Sequence, residues 1–213
     1  MNKICIVGTD TAIGKTYVCC QILRYLANHE KEVMGLKPMA SGVSQTEYGK
    51  MNEDVYDLYM ASNLKLPFNQ INPFSLSSRV APHIAAQIDS VELNLQNILD
   101  KTRRIIDSIN CDYILIEGVG GLMVPLNMQD TYLDLLCKWH YPVILVVGMK
   151  LGCLNHALLT QAALVNANLN ILGWVANYID AEMDMPTANL DYLIARLNVP
   201  LLATVAFGGA IQP

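Results

Sequence analysis

The stretch that most restricts the fold of this chain is Gly8-Thr9-Asp10-Thr11-Ala12-Ile13-Gly14-Lys15-Thr16. It follows an apolar run, Lys3–Val7, and leads into Lys15–Ala27, where Val18, Ile22, Leu23 and Leu26 fall on one helical stripe. A glycine-bearing loop between a buried strand and a helix turns its backbone N–H groups around an anion, and the helix end adds partial positive charge. Gly14-Lys15-Thr16 is intact, so Lys15 is placed to reach the β/γ-phosphates and the Thr16 hydroxyl to ligate Mg²⁺. In the usual G-x-x-x-x-G-K-[ST] spacing the first glycine falls at position 9, where this chain has Thr9; Gly8 comes one residue early. The strand–loop–helix context nonetheless points to nucleoside triphosphate binding.

The rest of the chain repeats the same alternation. Apolar runs at Glu32–Leu36, Tyr113–Glu117, Val143–Val147 and Ile171–Ala176, with a weaker one at Leu201–Val205, read as strands buried on both faces. Helical spacing recurs at Val91–Ile109, Tyr132–Lys138, Asn155–Ala167 and Ala188–Leu197. Strands alternating with helices predict a three-layer α/β fold with a mostly parallel central sheet, in one domain spanning 1–213. Two stretches, Pro38–Glu53 and Leu66–Pro82, read as long irregular loops, and loops of that length at the strands' carboxyl ends are where ligands bind in such folds.

Composition narrows the functional classes. Hydrophobic residues make up 53% of the 213 and charged residues 15%, which excludes disorder and implies that part of the surface is covered, as by a second copy. A net charge of −5 and a pI near 5.3 give no global positive field for nucleic acid or an anionic membrane. The longest apolar run, Pro142–Val147, is too short for a membrane span, and the first residues make no secretory segment; a cytoplasmic protein is expected. Cys5, Cys19, Cys20, Cys111, Cys137 and Cys153 have neither zinc-ligand nor C-x-x-C spacing.

Three charged residues at strand or loop ends stand out. Glu117 closes a buried strand before Gly118-Val119-Gly120-Gly121, where a carboxylate emerges at the sheet's carboxyl edge. Asp54 begins a helix; alone it reads as a carboxylate on the helix dipole, but Mg²⁺ also needs one or two carboxylates beside a threonine. Lys37 ends the second strand, where a second cation beside the phosphate loop suits phosphoryl transfer.

Together these residues resemble the dethiobiotin synthetase family of P-loop NTPases. The phosphate loop is similar to the family's G-T-D-T-x-x-G-K-T. Leu36–Gly42, Glu117–Gly121, Pro142–Gly148, Lys150–Ala157 and Gly173–Asn177 add matches from about residue 4 to residue 205. The resemblance implies carboxylation of diaminopelargonate with CO₂ and MgATP through a carbamate that is phosphorylated and then closed to a cyclic urea. It places Lys15 and Lys37 beside carbamate and γ-phosphate, with Thr11 completing the catalytic set. It places Ala12, Ile13, Gly14, Thr16, Tyr17, Gly118, Val119, Gly120, Asn177 and Tyr178 around the nucleotide. Thr16, Asp54 and Glu117 would hold Mg²⁺. Ser41 would bind the carbamate or amine region, while Gly152, Cys153, Leu154 and Asn155, from the neighbouring subunit of a homodimer, would hold the substrate carboxylate with Tyr192. His83, in a Pro-His pair, reads as a structural loop residue.

The chain departs from the family pattern at Ala12, where several members carry an acid, and at Thr204–Phe207, where many have Pro-Trp. Two rival readings share the fold. One is a partitioning-type ATPase switch, which usually carries an additional lysine near Thr9 or Asp10; the other is a nucleotide-binding homologue without synthetase activity.

Overall fold

The computed structural model describes residues 1–212. β1 (Asn2–Gly8) runs into the phosphate loop, from which α1 (Lys15–Asn28) departs. β2 (Val33–Leu36) follows, then β3 (Met39–Ser41), β4 (Ser44–Thr46), β5 (Gly49–Met51) and α2 (Glu53–Ala61). α3 (Phe68–Ile71), β6 (Phe74–Leu76), α4 (Pro82–Ile88) and α5 (Leu95–Asp107) lead back to the sheet. The remainder alternates: β7 (Tyr113–Glu117), α6 (Tyr132–Trp139), β8 (Val143–Met149), α7 (Cys153–Asn166), β9 (Ile171–Tyr178), α8 (Pro186–Arg196), β10 (Leu201–Val205) and β11 (Ile211–Gln212).

Seven strands form one sheet in the order β11-β10-β9-β8-β1-β7-β2, parallel throughout except for β11, which pairs antiparallel with β10. Side chains alternate between two cores, as the strand period of two requires. Ile6, Leu115, Val146 and Val175 pack with Val18, Cys19 and Leu23 of α1 and Leu58 of α2. Cys5, Val7, Ile114, Ile116, Leu145 and Val147 point the other way, into a core shared with α5, α6, α7 and α8. Hydrophobicity is therefore continuous along each strand because helices cover both faces.

Both stretches read as irregular contain regular structure. β3 pairs in parallel with β6, and β4 and β5 form a hairpin turned at Glu47-Tyr48. Three-residue strands are too short to show a period, so their pairing was invisible to patterning. The helix expected from Val91 starts at Leu95, because the Asn94 side chain accepts the Asn97 N–H and caps it there. His83 lies in α4, not in a loop. Among the described residues no helix is long and apolar enough to cross a membrane.

Because the strands run parallel, the carboxyl ends of β1, β2, β7, β8 and β9 meet at one edge. Gly8, Lys37, Glu117, Lys150 and Asn177 lie at or just beyond those ends.

Candidate active site

The phosphate loop is held by close backbone approaches. A Cβ at Gly8 would lie 2.7 Å from the Lys15 side chain, so the early glycine is where the lysine stem folds back over the strand end. Gly14 has φ +78°, and a Cβ there would lie 2.2 Å from Nδ2 of Asn177. That Nδ2 donates to the Ile13 carbonyl at 2.8 Å, pinning the loop to the end of β9. Ala12 also takes a left-handed conformation, φ 55°, at a cost of about 1–2 kcal/mol for a residue with a side chain.

Lys15 is buried, with Nζ donating to the Asp10 carbonyl at 2.7 Å. Burial pulls its pKa down to about 8, against the partial support of Glu117. At the next residue, the Thr16 hydroxyl donates to Oε1 of Glu117 at 2.7 Å. The same oxygen accepts from Nζ of Lys37 at 2.6 Å, and Lys37 also donates to Oδ2 of Asp54 at 2.7 Å.

This cluster is built by elements on three sides. Lys37 is fixed through its backbone: its N–H donates to the Ile71 carbonyl, and the buried Asn72 amide donates to its C=O. Asn52 caps α2 by accepting the Asp54 N–H, and its Nδ2 donates to the Ser41 and Gly42 carbonyls. One side chain thus joins the α2 start to the loop that carries Ser41. Glu117 arrives at the end of β7, 1% exposed.

Charge balance follows from these contacts. Burial pushes Glu117 above the usual carboxylate range, more than Lys37 beside it pulls it down. For Asp54 burial also pushes up, but Lys37 outweighs it and the carboxyl sits low. Burial opposes charge on Lys37, yet Glu117 and Asp54 together hold it above the ordinary lysine value. Two carboxylates and two ammonium groups therefore share one patch in which Lys15, Lys37 and Glu117 are buried and Asp54 is half-exposed, and the buried charges are stable only while each keeps a partner.

The patch opens into a cleft of about 820 Å³. Of the residues singled out in the sequence, Thr11, Ala12, Gly14, Lys15, Thr16, Tyr17, Lys37, Ser41, Asp54, Glu117, Val119 and Gly120 line it. Ile13 is fully buried beneath the loop and contributes its carbonyl to Asn177. Gly118, Asn177 and Tyr178 stand behind the lining residues, at the ends of β7 and β9. Gly152, Leu154 and Asn155 open α7 with Cys153 buried beneath, and Tyr192 is 43% exposed on α8; none of the five lines the cleft. Sequence reading missed Asn52 and the wall formed by Arg79, Val80, Ala81 and Pro82. The proline-punctuated composition of Leu66–Pro82 marked that wall as a loop without singling out its residues.

The donors suit a hard cation. Thr16 Oγ1 and both carboxylates offer oxygen atoms, and Glu117 Oε2 is buried with no hydrogen-bond partner, an acceptor left over for a ligand. No group of three His, Cys, Asp or Glu side chains converges among the described residues; Mg²⁺ typically takes only one or two carboxylates and fills its shell with phosphate oxygens and water.

Phosphate loop, parallel sheet and the Thr16, Asp54 and Glu117 oxygens gathered at the strands' carboxyl edge define a nucleoside triphosphate-binding enzyme of the P-loop class. Solved structures agree on the fold. The cell division ATPase MinD from Pyrococcus furiosus superposes with a TM-score of 0.56 at 18% identity, over 97% of this chain and 84% of that one. The MinC:MinD complex of Aquifex aeolicus superposes at 0.59 and 15%, over 97% of this chain and 81% of that one. The family model described as an AAA domain matches residues 2–211. The ATP-dependent dethiobiotin synthetase BioD of Legionella pneumophila (strain Philadelphia 1) is 41% identical over the whole of this chain and 97% of its own length. That of Pseudoalteromonas translucida is 41% identical over 95% of this chain and 89% of its own. The chain belongs to the ATP-dependent dethiobiotin synthetase family.

Proposed function

We propose that the cleft joins CO₂ to the diamine diaminopelargonate at the expense of MgATP, with Lys37 and Lys15 as its charge-controlling groups. The chain is an ATP-dependent ligase of biotin synthesis, as its family membership entails. The observation that carries the mechanism is the position of Lys37, buried between Glu117 and Asp54 beside the phosphate loop.

The chemistry follows from the charges. One substrate amine adds to CO₂, losing a proton and giving a carbamate anion. A carbamate oxygen then attacks the γ-phosphorus, and the bond to the β–γ bridging oxygen breaks, so ADP leaves and a carbamic-phosphoric anhydride remains. The second amine attacks the carbonyl carbon, expels phosphate and closes the cyclic urea. The second step brings two anions together, so its barrier falls only if cations stand at the point of approach. Lys15 would neutralise the γ-phosphate and Lys37 the carbamate, with Thr11 and the loop N–H groups completing the cradle. The Ser41 hydroxyl, buried without a partner, is suited to the carbamate or its amine. Positioning and electrostatics supply the acceleration, with no covalent protein intermediate.

Thr16, Asp54 and Glu117 would hold Mg²⁺, which when bound offsets the charge of the phosphates. Ala12 to Tyr17 and Gly118 to Gly120 would contact the nucleotide. Asn177 keeps its carbonyl oxygen and second N–H for an adenine edge, with Tyr178 beside it. The carboxylate of the substrate would bind at the α7 start, Gly152–Asn155, of a second copy, with Tyr192; the active unit is then a cytoplasmic homodimer of single-domain subunits. The test is product analysis with diaminopelargonate, bicarbonate and MgATP, omitting each in turn. Stoichiometric dethiobiotin, ADP and phosphate only with all three supports the reading. Phosphate release that ignores the diamine would overturn it in favour of a switch or a bare nucleotide binder.

A further inference from the structure

The phosphate loop carries a charge that is wrong for its ligand. Asp10 precedes Thr11 in the loop, yet it does not line the cleft. Its Oδ1 accepts the Thr11 N–H at 2.7 Å, and its backbone carbonyl accepts Nζ of Lys15 at 2.7 Å. The residue therefore shapes the loop at two points while placing a carboxylate next to a site for a polyanion. An unbalanced negative charge there would repel the phosphates through space and weaken every nucleotide the loop can hold.

Lys150 supplies the balance. It follows β8, 140 residues away in sequence, and its Nζ lies 3.2 Å from Oδ2 of Asp10. Each oxygen of Asp10 thus has its own donor, one from the loop backbone and one from the neighbouring strand end. Burial pushes the Asp10 pKa up, but the Thr11 N–H first, then Lys150, and least His156, one turn into α7, favour the ionised carboxylate and hold it below the usual aspartate value. The Lys150 and Asp10 side chains are 34% and 41% exposed, so the pair is partly screened and adds little to stability by itself.

We infer that Lys150 is a positioning residue for nucleotide binding, acting through Asp10 to cancel a carboxylate that the loop needs for its shape but that repels phosphate. The inference goes beyond the proposed reaction, because it concerns any di- or triphosphate in the loop. It predicts a sign pattern that a merely structural contact would not produce. Removing the lysine exposes the repulsion; removing the aspartate's charge as well abolishes it. Asp10→Asn keeps an oxygen for the Thr11 N–H, so the loop retains its turn.

The experiment measures ATP and ADP affinity of the full chain for Lys150→Met, Asp10→Asn and the double variant, at low and moderate salt. Lys150→Met is expected to weaken ATP about three- to tenfold, more than ADP and more at low ionic strength. Asp10→Asn should bind at least as tightly as the parent chain. The double variant should return to within about twofold of it. Lys150→Arg, which keeps the charge, should match the parent, and Lys150→Gln replaces Lys150→Met should the latter fold poorly. A double variant as weak as Lys150→Met, or a Lys150→Met with unaltered affinity, overturns the inference. Because only nucleotide binding is read, these outcomes do not depend on whether diaminopelargonate is the substrate.

Discussion

Gly14→Ala isolates how the loop is held. The substitution keeps a small residue but asks it to adopt φ +78°, which costs a residue with a Cβ about 1–2 kcal/mol. The new Cβ would also lie 2.2 Å from Nδ2 of Asn177, so the bond from that nitrogen to the Ile13 carbonyl cannot survive in place. Leaving that buried polar pair unmade adds about 1–3 kcal/mol. The free energy of unfolding should therefore fall by about 2–5 kcal/mol, or roughly 5–15 °C in midpoint for a chain of this size. Denaturant titration reads the first quantity, and nucleotide titration should show affinity falling at least ~10-fold as the loop amides lose their alignment. Asn177→Ala breaks the same bond without straining Gly14. The double variant should then cost less than the sum of the singles, by about 1–3 kcal/mol. Additive costs, or a Gly14→Ala chain within ~0.5 kcal/mol of the parent, would refute the reasoning that Asn177 is the loop's anchor.

Three further outcomes follow from the charges. Lys37→Met leaves the buried Glu117 without its cation and should destabilise the ligand-free protein by about 3–5 kcal/mol in denaturant titrations. The loss should shrink as pH falls, because Glu117, already raised by burial, binds a proton more readily folded than unfolded. Glu117→Gln keeps an acceptor for Thr16 and Lys37 but removes a charge, so the Mg²⁺ concentration for half-maximal activity should rise ~10-fold or more; an unchanged value removes Glu117 from the cation site. Finally, Lys15 must be charged to hold phosphate, and its pKa lies near 8 in the ligand-free protein. In EDTA the nucleotide Kd should be flat below that pH and rise about tenfold per unit above it. Lys15→Arg, charged throughout, should lose that slope.

The central strands and the charged residues at their tips were legible because each obeys a local rule. A buried parallel strand is continuously apolar, so the first polar residue at its end, Lys37 or Glu117, marks the edge where ligands bind. The Gly8–Thr16 loop declared itself through its place between strand and helix, and the structure supplies the reason for its early glycine, the Lys15 stem folded over Gly8. What escaped patterning depends on partners distant in sequence. β3 and β6 are strands only because Met39–Ser41 finds Phe74–Leu76. Asn52 matters because one side chain caps α2 and holds two loop carbonyls, which no spacing rule encodes. The resemblance alone placed Asn177 at the nucleotide, and nothing local foretold that its amide nitrogen also donates to Ile13, 164 residues away. The match of Lys150 to Asp10 across 140 residues is of the same kind.

The central claim is that Lys37 acts on the reacting carbamate and not on nucleotide binding, and Lys37→Gln tests it most directly. Equilibrium titration with ATP and single-turnover phosphate release in the presence of diaminopelargonate and bicarbonate, measured on the same preparation, separate the two roles. The account predicts an ATP Kd within about threefold of the parent and a chemical step slowed ~100-fold or more, the scale of losing one charge-stabilising group. A variant that turns over at the parental rate once saturated with ATP would contradict it.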